Sequence, residues 1–255
     1  MFRKLRRQIK DLDRRLRRSA GASPGMDRFS APYPPENAAD RPGLEGIFWS
    51  NDGPLVHKWH HYLPIYERYF SALREREVRF LEIGVSKGGS LAMWRRYFGE
   101  AAILYGVDID PACAACNGIH AQVRIGSQSD ADFLRRVVDE MGGVDVVLDD
   151  GSHISSDIRA SLATLFPLLQ DGGLYMIEDL HATYWDSHDG GYQKPGSFIE
   201  DLRQMVDDMH HWYHDQGQRI AATAGTLSAL HLYDSIAVLE KSVVPEPRHS
   251  EVGDR

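Results

Sequence analysis

Two short polar clusters end apolar runs in this chain: Asp149-Asp150-Gly151-Ser152-His153 closes one, and Ile177-Glu178-Asp179-Leu180-His181 closes the next. Each run reads as a buried strand. In an open α/β sheet the ends of neighbouring parallel strands face one crevice, and ligands bind there. Three or four carboxylates converging in that crevice, with no basic residue interleaved, would repel one another unless a hard cation joined them. Oxygen-only ligation suits Mg²⁺, and the same donor set suits Mn²⁺.

A second group of chemistry-bearing residues lies upstream. Phe80-Leu81-Glu82-Ile83-Gly84-Val85-Ser86-Lys87-Gly88-Gly89-Ser90 runs from an apolar strand through a small-residue turn into a helix. Glycines let a backbone approach a ligand closely, and a helix N-terminus offers free N–H donors. The turn departs from GxGxxG and has no GK[ST] to make it a P-loop. The next apolar run ends at Asp108, which places a carboxylate beside the first turn, where an acid fits a ribose diol. A third polar turn, Gly126-Ser127-Gln128-Ser129-Asp130, could border an adenine. Together the three turns fit a nucleoside-bearing cofactor, without distinguishing a dinucleotide from S-adenosylmethionine.

The elements that must position these residues follow from periodicity. Strands are predicted over 78–83, 103–107, 122–125, 144–148 and 173–177, separated by stretches of helical length. That alternation argues for a parallel sheet with helices on both faces. Residues 55–73 carry apolar and aromatic residues at helical spacing and are predicted as two helices divided by Pro64. A last helix over 198–215 precedes strands near 219–223 and 229–239, joined as an antiparallel hairpin through a turn containing Gly225.

Composition bounds the rest. The 255 residues are 42% hydrophobic, enough for one well-buried domain. Residues 1–18 carry nine Lys/Arg against Asp11 and Asp13, so the body of the chain is far more acidic than the overall net charge of −8. Such a body is a poor nucleic-acid binder. No apolar stretch is long enough to span a membrane and the N-terminus lacks a signal-peptide core, so a cytoplasmic protein is expected. Phe2, Leu5, Ile9, Leu12 and Leu16 share one stripe of a basic amphipathic helix, read as a short coiled-coil arm between subunits, a helix lying on an anionic surface, or a solvated extension. Residues 19–53, rich in proline, read as a linker, 54–243 as the main domain and 244–255 as a flexible tail. Cys113 and Cys116 exclude a disulfide framework, and their spacing lacks the further ligands of a zinc site.

The order of LEIG followed by GGS, GVDIDP, LDDGSH and MIEDLHATYW resembles the class I S-adenosylmethionine-dependent methyltransferases. In particular, it is similar to the metal-dependent sugar O-methyltransferases of the type acting on mycinamicin at the 2''-hydroxyl. The resemblance covers about residues 58–239. It implies a Rossmann-like, seven-stranded, mostly parallel sheet with a C-terminal antiparallel hairpin. By position, Asp150, Glu178 and Asp179 would match the Mg²⁺ ligands, and His153 the catalytic base. Asp108 would match the ribose-binding acid and Glu82 the acid near the methionine end, with Gly84, Ser90, Gln128 and Asp149 beside the cofactor. The macrolide enzyme has an N-terminal domain that this sequence does not carry, which bears on both acceptor and assembly.

On that reading the partner is a sugar-containing acceptor, and the enzyme is expected to form a homo-oligomer. A cation would lower the pKa of a sugar hydroxyl, and His153, three residues after Asp150, would take its proton. His181, Tyr184 and Trp185 open a segment over 182–197 too polar for core and too aromatic for a passive linker, as expected of a loop covering an acceptor. His210, His211 and His214 have no acidic context and read as helix surface. The rival readings are a catechol-type or hydroxylase-like relative on the same fold, and a non-catalytic nucleotide-binding scaffold recruited through the basic helix.

Overall fold

The computed structural model describes residues 29–31 and 35–254; the amphipathic helix expected over 1–18 lies outside the described residues. Contacts separate residues 1–36 from a unit that begins at Asn37. In that unit the elements run α1 (Gly43–Trp49), α2 (Leu63–Phe70), β1 (Arg79–Ile83), α3 (Gly89–Phe98), β2 (Ile103–Asp108), β3 (Gln122–Ile125) and α4 (Ala131–Met141). They continue with β4 (Val144–Asp149), α5 (Ser155–Leu165), β5 (Leu169–Ile177), α6 (Phe198–Met209), β6 (Leu227–Leu232) and β7 (Ala237–Lys241).

The strands form one sheet in the order β3-β2-β1-β4-β5-β7-β6. Pairing is parallel from β3 through β5, and β7 runs antiparallel to both β5 and β6. This is the Rossmann-like arrangement, parallel core and final hairpin, that the motif order implies. Strand alternation splits the core into two layers. Phe80, Val146, Leu148, Met176 and Val238 face one layer with α1, α2 and α3. Leu81, Ile83, Val107, Val147 and Ile177 face the other, against α4, α5 and α6. The chain leaves β1 for one edge of the sheet and returns at β4 to build towards the other, so the topological switch lies between β1 and β4. Among the described residues no helix is long and apolar enough to cross a membrane.

Four sequence expectations differ from the structure. The segment 19–53 is not linker to its end: α1 forms at Gly43–Trp49, Leu44 is wholly buried, and its backbone N–H donates to Glu67 Oε2 at 2.9 Å. Buried apolar surface decides the boundary where proline content suggested a connector. Residues 55–73 do not form two α-helices. Pro64 sits in the first turn of α2, where its missing N–H costs nothing, and the residues before it form an extended strap ending in a short 3-10 turn at His60–Tyr62.

The turn of the hairpin, finally, falls within the single strand expected over 229–239, which is broken into β6 and β7. Tyr233 N–H donates to Ile236 O at 2.8 Å, and Ser235 takes a φ of 68° to close the turn. Residues 219–223 contribute no strand. The terminal helix is likewise shorter than expected, ending at Met209 with a separate turn at His211–Tyr213.

Candidate active site

The β1 turn shows how closely the chain packs at the switch point. Gly84 has a φ of 97°, and a Cβ there would stand 2.1 Å from the backbone oxygen of Asp150. Only glycine lets the end of β1 pass the end of β4 at that distance. Gly89 opens α3 beneath the strap, and its Cβ would meet Leu55 O at 2.2 Å. The strap, the glycine turn and the ends of β2, β4 and β5 enclose a cavity of about 340 Å³. Gly84, Ser90, Asp108, Asp150, His153, Glu178 and Asp179 all line it.

Asp108 accepts backbone N–H bonds from Val85 at 2.9 Å and Ser86 at 3.0 Å on Oδ2, and from Asp110 at 2.9 Å on Oδ1. Burial opposes its ionisation, but these amides outweigh it and hold the carboxyl below the ordinary aspartate value. An anion is therefore fixed beside the glycine turn. Cys113 supports the same turn, donating Sγ–H to Ser86 O at 3.3 Å, and both cysteines are free thiols.

At the opposite wall Asp150, His153 and Asp179 come together, with one donor atom from each lying within 4.8 Å of the others. His153 Nε2 is 3.8 Å from Asp150 Oδ1 and 3.7 Å from Asp179 Oδ2. Both His153 (φ 56°) and Asp179 (φ 54°) occupy the left-handed region. Non-glycine residues there cost of order 1–3 kcal/mol each, and such strain gathers at functional sites. Asp179 is further fixed by Tyr62, whose hydroxyl donates to Oδ1 at 2.7 Å. Burial, then the Asp179 charge, pushes that phenol well above its ordinary range.

The expectation that no basic residue enters the cluster is overturned. Lys58, 92 positions upstream of Asp150, reaches in from the strap and donates to Asp150 Oδ2 at 2.5 Å. It also donates to both Glu178 oxygens at 2.8 Å. Burial alone would discharge the ammonium, but Asp150, Glu178 and Glu82 outweigh it and keep Lys58 protonated. Glu178 is thus the hydrogen-bond partner of a buried lysine rather than an open carboxylate; burial and the Asp150 charge push its carboxyl well above the ordinary value against the opposing pull of Lys58. Tyr66 completes the wall behind them, its ring centroid 5.9 Å from Lys58 Nζ.

Three residues expected at the cofactor do not line the cavity. Asp149 points away from Asp150, as adjacent strand residues must. It accepts from Ser161 at 2.5 Å, Tyr175 at 2.8 Å and Gln128 at 3.2 Å, and ties β4 to α5 and β5. Gln128 also accepts from Ser152 N–H at 2.8 Å and so serves as a strut between turns. Glu82 is wholly buried beneath the glycine turn, taking hydrogen bonds from Ser90 at 2.8 Å and Trp94 at 3.2 Å.

Burial pushes the Glu82 carboxyl up from 4.5 to about 7. A carboxyl raised on folding stabilises below its unfolded value, and that contribution is lost as pH rises through the folded value. Denaturant melts of wild type against Glu82→Gln should therefore show wild type losing about 3 kcal/mol relative to the variant between pH 4.5 and 8. A pH-independent difference would contradict a carboxyl held in that state.

His181 stands outside the cavity in a chain of rings, 5.6 Å from Trp59 and 5.0 Å from Trp185, which in turn lies 5.5 Å from His188. Burial lowers the His181 imidazole below its ordinary value. Tyr184 is exposed. The aromatic segment is built of two 3-10 turns, Leu180–Tyr184 and Asp186–His188. Ser155 Oγ donates to His188 O at 3.1 Å and anchors it on α5. His210, His211 and His214 bond backbone carbonyls of their own helix end.

Sequence reasoning missed Lys58, Tyr62 and Trp59. The available signal was one lysine inside a run otherwise rich in aromatic and apolar residues.

A family model described as a methyltransferase domain matches residues 81–180. The chain is 36% identical over 234 residues to the 8-demethyl-8-alpha-L-rhamnosyl tetracenomycin-C 2'-O-methyltransferase of Streptomyces olivaceus, covering 86% of this chain and 59% of that protein. It is 36% identical over 195 residues to the mycinamicin VI 2''-O-methyltransferase of Micromonospora griseorubida, covering 71% of this chain and 48% of that protein. Among solved structures, the MycE methyltransferase in complex with Mg, SAH and mycinamycin VI superposes with a TM-score of 0.70 at 32% identity, covering 83% of this chain and 58% of that one. The chain thus spans less than two thirds of the length of each of these relatives.

Proposed function

We propose that the chain, similar over most of its length to methyltransferases of class I, methylates a hydroxyl of a sugar carried by a glycosylated natural product. The donor would be S-adenosylmethionine and the reaction Mg²⁺-assisted. The observation that carries this reading is one cavity with the glycine turn and Asp108 on one wall and Asp150, His153 and Asp179 on the other. The acceptor class is the one on which the tetracenomycin and mycinamicin enzymes act by name.

S-adenosylmethionine supplies a methyl group on a sulfonium, and a divalent cation supplies Lewis acidity towards an acceptor hydroxyl. The carboxylate oxygens of Asp150 and Asp179 suit such a cation, which leaves the His153 imidazole between them for proton transfer. Asp150 and Asp179 would hold it, and Glu178 would join them only by releasing Lys58. The remaining work belongs to positioning and proton transfer. Asp108 and the amides of the glycine turn orient the donor's ribose. The strap carrying Leu55 and Val56 restricts water from the cavity. His153 would take the proton of the acceptor hydroxyl at Nε2. Asp150 and Asp179, on either side of the imidazole, stabilise the imidazolium that results. The chain of rings formed by Trp59, His181 and Trp185 offers an aromatic surface for a sugar to stack on, and the exposed Tyr184 is free to extend it.

Calorimetric titration of S-adenosylhomocysteine into metal-stripped protein, repeated with Mg²⁺ and a panel of deoxysugar-bearing polyketides, tests the proposal. The expected result is micromolar binding of the product cofactor and acceptor heat that appears only when metal is present. Absence of cofactor binding under every condition would overturn it.

A further inference from the structure

We propose that Lys58 is a tethered competitor for the divalent cation: its ammonium and the metal contend for Asp150 and Glu178, so the site exchanges one cation for another rather than filling an empty cage. The inference rests on the metal-assisted reading above and concerns the residue that reading does not use. Its basis is geometric. The Lys58 side chain is 2% exposed, as is that of Glu178, and the ammonium spends its donors on three carboxylate oxygens of the two acids at 2.5 to 2.8 Å. Those oxygens belong to the acids at which the cation is expected.

Charge counting points the same way. Asp150 and Glu178 share one ammonium with Asp179 beside them, and that ammonium relieves the crowding of acids that would otherwise strain a metal-free fold. Lys58 also arrives on the strap, not on the sheet. The strap crosses Gly89, and its Leu55, Val56 and Lys58 line the same cavity as the glycine turn. A lysine stem is flexible and its ammonium is a compact point charge, both of which suit it to exchange; a guanidinium fork in the same place would still compete.

Two measurements on the full chain decide the matter, with Mn²⁺ as probe. Free-Mn²⁺ titration followed by electron paramagnetic resonance should show Lys58→Met binding the ion at least tenfold more tightly than wild type, with Lys58→Arg remaining within about threefold of wild type. Affinity in Lys58→Met equal to or weaker than wild type overturns the proposal, whatever the effect on turnover.

Should Lys58→Met fail to fold, wild type alone suffices. Acylation of Lys58, followed by peptide mass spectrometry, should accelerate at least threefold on saturation with Mg²⁺ as the ammonium leaves its carboxylates. An unchanged rate overturns the proposal. Wild type that takes up no Mn²⁺ at all overturns the metal-assisted reading itself, an outcome distinct from normal uptake with no response to the lysine.

Discussion

Replacing His153 by alanine should lower single-turnover methyl transfer by about a thousandfold while leaving S-adenosylhomocysteine affinity within twofold of wild type. The size follows from the role. General-base assistance is typically worth 10² to 10⁴-fold, and a sugar hydroxyl, a very weak acid, stands to gain from it. The retained affinity follows from position, because His153 lies across the cavity from the Asp108 turn and contacts Asp150 and Asp179 at 3.7 to 3.8 Å. Two carboxylates left beside the vacated position provide a weaker base, so the loss should be large without being total.

A companion variant separates chemistry from strain. His153 holds a φ of 56°, which glycine tolerates and alanine does not, so His153→Gly should be more stable than His153→Ala by about 1 kcal/mol. Both should be equally inactive. A His153→Ala rate within fivefold of wild type would remove His153 from the mechanism, and activity recovered in the glycine variant would mean that backbone geometry, not the imidazole, was at fault.

What the sequence revealed about this site depended on how each residue reaches it. Asp150, His153 and Asp179 were legible because each lies on or just beyond the end of a buried strand, and the ends of parallel neighbours converge by topology alone. Asp149 was misread although its neighbour was not: consecutive strand residues point to opposite faces, so the pair could not both enter the crevice, and Asp149 instead bonds Ser161 and Tyr175. Glu82 and Gln128 were placed at the ligand by motif position, yet both lie beneath the surface they support.

Lys58 stood out only as the one lysine in an aromatic and apolar run, and nothing in the sequence showed where it would reach. Its pairing with Asp150 spans 92 positions and exists only once the strap has folded over the glycine turn. The five parallel strands were readable as buried apolar runs, with ends off by a few residues at most but for β5, which begins at Leu169 rather than at residue 173. The final hairpin was readable as well but its turn was misplaced, because the turn carries Asp234 and Ser235 where glycine was sought, and Gly225, outside the strands, drew it to the wrong place.

Gly84→Ala should be the most damaging single-methyl change in the domain. Two penalties coincide there. The φ of 97° is one that an L side chain rarely adopts, and the added Cβ would stand 2.1 Å from Asp150 O and 3.3 Å from Gly151 Cα. The near atom is backbone in a paired strand end, since Asp150 N–H donates to Ile83 O at 3.0 Å, so no side-chain rotation relieves the contact. Backbone strain of 1–3 kcal/mol and overpacking of similar size sum to about 3–6 kcal/mol. In a domain of this length that corresponds to a fall in Tm of roughly 10–20 °C.

Gly118→Ala supplies the internal control. Gly118 has a similar φ of 77° but open space where its Cβ would go, so it should cost only the conformational part, about 1 kcal/mol. Thermal melts of the two variants decide the point. Because β4 must shift to admit the methyl group, Gly84→Ala should also lose Mn²⁺ affinity through the displaced Asp150, whereas Gly118→Ala should keep it. Equal melting temperatures for the two variants would mean that β1 and β4 do not approach as closely as described, and that the carboxylate of Asp150 is not held where the proposed chemistry requires it.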